Sequence, residues 1–81
     1  MDNAELRKTF GAVLREARER TGLSQERFAL QAGLDRTTIS MLERGVHQPT
    51  LSTLFVLAGN LDIKAATLIG RVDKKRTQVA D

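Results

Sequence analysis

Eighty-one residues, 41% of them hydrophobic, are enough for one domain with a small core and too few for two. With no cysteine and one histidine, the chain excludes disulfide staples, thiolate metal sites and histidine-rich centres, so no metal, cofactor or catalytic residue is expected. The formal charge of +3 is unevenly spread: residues 1–70 carry nine basic and eight acidic side chains, so global charge alone does not argue for a polyanionic partner.

From Asn3 to Thr21 the apolar residues Leu6, Phe10, Val13, Leu14 and Ala17 recur at helical spacing, with charged residues on the other face. Gly11 costs this first helix about 1 kcal/mol against alanine, which predicts either close packing or fraying there. Thr21-Gly22 ends it. Ser24 is an N-cap for a second helix, with Glu26 favourably placed in its first turn. Phe28, Ala29 and Ala32 share that helix's inner face, and Gly33 is placed to end it in a left-handed conformation. Leu34 can then drop into the core, and Asp35 can cap a third helix in which Ile39 and Leu42 point inward. Gly45 closes this unit.

Val46 to Pro49 reads as a loop, and Thr50 as the cap of a fourth helix with Leu51, Leu54, Leu57, Ala58 and Leu61 facing inward. Phe55 and Val56 lie outside that stripe. A short fifth helix is expected over Ala65 to Ile69, stopped by Gly70. The last eleven residues, RVDKKRTQVAD, have the composition of a mobile basic tail, which divides the chain into a domain over 1–70 and a tail over 71–81. No apolar run approaches the roughly 20 residues of a membrane span. The start, MDNAELRK, lacks an apolar leader, and a cytoplasmic location is expected.

The stretch QERFALQAGLDRTTISMLER, residues 25–44, carries the functional signal. Two short helices cross at Ala29, where a larger side chain would hold them apart. At about 100° per residue, Arg36, Thr37, Ser40, Met41 and Arg44 form the face opposite Ile39 and Leu42. A short polar face led by an arginine suits insertion into a DNA major groove, which makes the unit a helix-turn-helix. The alternative is a helical hairpin whose outer face is merely soluble. The joint placement of Ala29, Gly33, Leu34, Ile39 and Leu42 favours the first reading.

Residues 18–61 resemble the Cro and phage-repressor type of helix-turn-helix, the XRE family of small bacterial regulators. Arg18, Gly22-Leu23-Ser24-Gln25, Ala29, Gly33-Leu34, Ile39-Ser40, Leu42-Glu43-Arg44-Gly45, Pro49, Leu51, Leu54, Leu57-Ala58 and Leu61 carry the resemblance. It implies an all-α, five-helix, lambda-repressor-like bundle that binds operator DNA as a two-fold dimer, on the bacterial nucleoid. By position, Arg36, Thr37, Ser40 and Met41 would face bases, while Gln25, Thr38, Arg44 and His47 would hold phosphates. Arg18 and Glu43 match a partly buried ion pair that ties the first helix to the recognition helix. The run LDRTTIS is similar to restriction–modification controller proteins, although Thr38 stands where many carry tyrosine and His47 where they tend to carry arginine.

One such domain reads too few bases to select a genomic site, so two should pair across a palindrome of double-stranded DNA. Phe55, Val56, Ile63, Leu68, Ile69 and Val72 are the surplus apolar residues expected to line a homodimer interface. Leu68 and Ile69 could equally close the core. An alternative function is an antitoxin-like protein that neutralises a partner enzyme through the basic tail and autoregulates its operon.

Overall fold

The computed structural model describes residues 3–79. Five helices run α1 (Asn3–Thr21), α2 (Gln25–Ala32), α3 (Arg36–Glu43), α4 (Leu51–Asn60) and α5 (Ala65–Val79), with no strand among the described residues. α2 and α4 begin at side-chain caps. The Ser24 hydroxyl accepts from the Arg27 N–H at 3.1 Å, and the Thr50 hydroxyl accepts from the Thr53 N–H at 3.1 Å. Asp35 occupies the cap position of α3 in an extended conformation, but its carboxylate makes no capping bond. Gly33 ends α2 at φ 72°, where its N–H reaches the Leu30 carbonyl at 3.3 Å and the Leu34 N–H reaches that of Ala29 at 2.9 Å. That pair of reversed bonds turns the chain sharply enough to place α3 across α2.

One apolar core joins the helices. Leu14, Phe28, Ile39, Leu57 and Leu68, one from each helix, are fully buried at its centre. Phe10, Val13, Ala17, Ala29, Leu42, Leu54, Ala58, Leu61 and Val72 surround them. Burial of such side chains contributes about 1.5–3 kcal/mol each, the main term holding so small a bundle together. Gly11 resolves in favour of close packing. A β-carbon there would lie 2.5 Å from the Leu42 carbonyl oxygen and would also strike the carbonyl of Glu43, so only glycine lets α1 lie against the end of α3.

Three expectations fail here. The fifth helix does not stop at Gly70, and residues 71–79 are its continuation and not a mobile tail; residues 80 and 81 lie outside the described residues. Ala65, Leu68 and Val72 fall on one face of α5, and burying Val72 outweighs the about 1 kcal/mol that Gly70 costs a helix interior. Val72 is therefore a core residue and not surplus apolar surface, Leu68 closes the core as its alternative reading allowed, and Ile63 is half-buried against the same core. In the other direction, Leu51, expected to face inward, is 72% exposed, because it sits in the first turn of α4 before that helix reaches the core. No single helix among the described residues is long and apolar enough to cross a membrane.

Candidate nucleic-acid interface

The helix α3 is short, and its exposure alternates as its sequence demands. Ile39 and Leu42 are buried; Arg36 and Thr37 are exposed at its start, and Thr38, Ser40 and Met41 are partly exposed along it. Arg44 follows as the C-cap and extends back along the helix, donating from Nε to the Ser40 hydroxyl at 3.2 Å. The Met41 carbonyl accepts from Val46 N–H at 2.9 Å and His47 N–H at 3.4 Å, which folds the following loop against the helix end and leaves His47 exposed. The four positions expected to face bases thus share one surface, with Arg44 and His47 at its C-terminal margin. Helix geometry also leaves the Gln25 and Glu26 N–H groups without intrahelical acceptors at the start of α2.

A buried polar node holds this surface to the rest of the molecule. The Arg18 Nε donates to Glu43 Oε2 at 2.6 Å and its Nη2 to Glu43 Oε1 at 3.2 Å, a two-point contact across α1 and α3. Its Nη1 donates to the Leu23 carbonyl at 2.7 Å, in the loop before α2. Only 10% of the Arg18 side chain and 3% of the Glu43 side chain reach solvent. The hydrogen bond to Glu43 raises the Arg18 pKa, outweighing the desolvation that would lower it, so the guanidinium stays charged.

Gln25 joins the same node, which sequence reasoning missed. Its Nε2 donates to Glu43 Oε1 at 3.0 Å, so one amide N–H is committed to the protein interior. The signal was present in hindsight: a glutamate with two acceptor oxygens, already facing an arginine, has lone pairs left for a further donor. The node therefore ties α1, the α1–α2 loop, α2 and α3 to one another. Arg7 adds a smaller tie, donating from Nε to the Gly45 carbonyl at 3.3 Å just beyond α3.

The residues expected at an interface between copies divide differently. Phe55 and Ile69 are 60% and 46% exposed, and with Leu51 they border one open apolar concavity between α4 and α5. Val56 is exposed beside Phe55 on α4 but does not line it. Among the described residues no group of three or more histidines or acidic side chains could hold a metal ion.

Comparison with known proteins bears on the family and the fold. The Helix-turn-helix family matches residues 14–68. The chain is 36% identical over 72 residues to the control protein C.MunI of a Mycoplasma species, covering 88% of this chain and 97% of that protein. Its fold is similar to the crystal structure of the restriction–modification controller protein C.AhdI from Aeromonas hydrophila. That likeness has a TM-score of 0.80 and 40% identity, covering 84% of this chain and 99% of the other. A further similar structure is the controller protein C.Esp1396I, solved as a tetramer in complex with its natural 35 base-pair operator. It has a TM-score of 0.78 and 27% identity, covering 86% of this chain and 92% of that one.

Proposed function

The chain belongs to the XRE-type helix-turn-helix family of DNA-binding transcription regulators, and we propose that it acts as a homodimer on a two-fold symmetric operator, in the manner of a restriction–modification controller. The observation that carries this reading is the outward face of α3: Arg36 and Thr37 stand exposed on a helix whose inner face and C-terminal end are both anchored. Arg36 would make the two-point contact with guanine, Thr37 and Ser40 would meet base edges, and Met41 would offer apolar contact to a thymine methyl. Thr38, Arg44 and His47 would meet phosphates, which set register without reading sequence. For Gln25 the phosphate contact would use its backbone N–H and the amide hydrogen not held by Glu43.

Leu51, Phe55 and Ile69 are the apolar surface best suited to pair two copies, with Val56 at its edge; Leu68 and Val72 serve the core. An antitoxin reading is weakened by α5, since the basic segment it needs as a free contact is helical up to Val79. Selection of bound duplexes from a random pool tests the proposal. An inverted repeat with half-sites about 34–36 Å apart is expected. Arg36→Ala should relax the preference at one base position in each half-site. A single unrepeated site, or an Arg36→Ala variant with unchanged preference, would overturn it.

A further inference from the structure

The continuation of α5 past Gly70 builds a second charged feature. Val13 and Ala17 of α1 floor a cleft of about 330 Å³, and Arg20, Arg71, Lys74 and Lys75 stand around it. Glu16 is the one carboxylate that lines it, and that group already accepts from Arg20 at 2.7 Å. Arg71, Lys74 and Lys75 have no ion-pair partner among the described residues. Their spacing of i, i+3 and i+4 puts three uncompensated cations on one face of α5.

This cleft is remote from the reading face. On α1, Gly11 and Arg18 face α3, whereas Val13, Glu16, Ala17 and Arg20 lie roughly 140–240° around the helix from Gly11. On α5, Arg71, Lys74 and Lys75 lie roughly 140–240° from Ile69, away from the apolar surface that would pair two copies. A dimer seated on an operator through α3 would therefore present one such cleft at the far side of each protomer.

The lining decides the ligand class. No aromatic ring borders the cleft: Phe10 and Phe28 are in the core, and Phe55 is on the α4 surface. Without stacking partners it is poorly suited to single strands or nucleotide bases. It is open and has no buried polar side chain to read a small molecule, and what it does offer is closely spaced positive charge for phosphates. We propose that the α1–α5 cleft is a second, sequence-independent site for the DNA backbone, holding a duplex segment other than the one read by α3. The site lets one dimer bridge two stretches of DNA. This rests on the DNA-binding reading of α3.

The test loads the full chain onto an immobilised duplex taken from the selected pool, washes away free protein, and measures capture of a fluorescent duplex of about 20 base pairs, two helical turns, lacking the selected site. The comparison variant is Arg71→Gln/Lys74→Gln/Lys75→Gln. Wild type should capture the second duplex, and the variant should hold the first with little loss and capture the second about tenfold or more weakly at low salt. Loading on the first duplex without capture of the second, or equal capture by the variant, overturns the bridging site and leaves the regulator intact. Failure of wild type to load on any duplex overturns the underlying reading as well. Inorganic tripolyphosphate is the last arm: if it shifts the Arg71 and Lys74 resonances at micromolar concentration while no second duplex is captured, a small polyphosphate is the occupant and the DNA site is refuted.

Discussion

Arg18 and Arg20 stand two residues apart on α1, and each meets a glutamate at nearly the same distance, 2.6 Å and 2.7 Å. The Arg18–Glu43 pair joins two helices in the interior, with 10% and 3% of its side chains exposed. The Arg20–Glu16 pair spans one turn of the same helix in solvent, with 61% and 54% exposed. Distance therefore says little about what an ion pair does. In the interior, the attraction is strong and the loss of one partner strands a desolvated charge; at the surface, water and salt replace most of what is lost. The two faces of α1 accordingly have different duties, one anchoring α3 and the other bordering a cationic cleft.

The largest predicted effect comes from breaking the buried side. Arg18→Ala should lower stability by about 3–5 kcal/mol, because Glu43 and the Leu23 carbonyl lose their charged donor together. In a domain of this size that is about 12 °C or more in a thermal melt, and an unchanged Tm would remove the node from the account. Gly11→Ala attacks the same α1–α3 contact sterically. Its β-carbon strikes carbonyls of Leu42 and Glu43 that cannot rotate away, so a stability loss of about 1–3 kcal/mol, read as a lower denaturant midpoint, is expected despite alanine's better helix propensity.

Gly70→Ala supplies the contrast within α5. A β-carbon there meets nothing within 4 Å, so propensity acts alone and the variant should gain about 0.5–1 kcal/mol. A destabilised variant would mean that α5 needs its glycine. Smallest of all, Arg20→Ala should change stability by at most about 1 kcal/mol, and that change should vanish in 1 M salt while the Arg18→Ala loss persists.

Much of the reading surface was legible before the fold was known. Ala29, Gly33, Leu34, Ile39 and Leu42 sit where the crossing of α2 and α3 requires them, and Ser24 and Thr50 cap the helices they precede. These are local or nearly local demands, written in turn chemistry and in the helical period. The misread elements share a different cause. Gly70 looked like a helix end because its propensity is poor, yet Val72 two residues later is buried in the core and carries the helix through. Leu51 matched the period of α4 but lies beyond the reach of the core. Gln25 looked like a phosphate ligand alone, since nothing in its neighbourhood along the chain announces a partner 18 residues away.

The sequence by itself determined the five-helix plan up to the length of α5, the helix-turn-helix, and the side chains that α3 turns outward. Those depend on spacing along the chain, which any reader of the period can recover. Tertiary structure alone decided how far the Arg18 and Arg20 ion pairs are each removed from water, which apolar residues are left on the surface, and that the basic C-terminal segment forms the wall of a cleft. Each of these is a matter of burial and of long-range pairing, and the dielectric around a charge is set by whatever the fold packs against it.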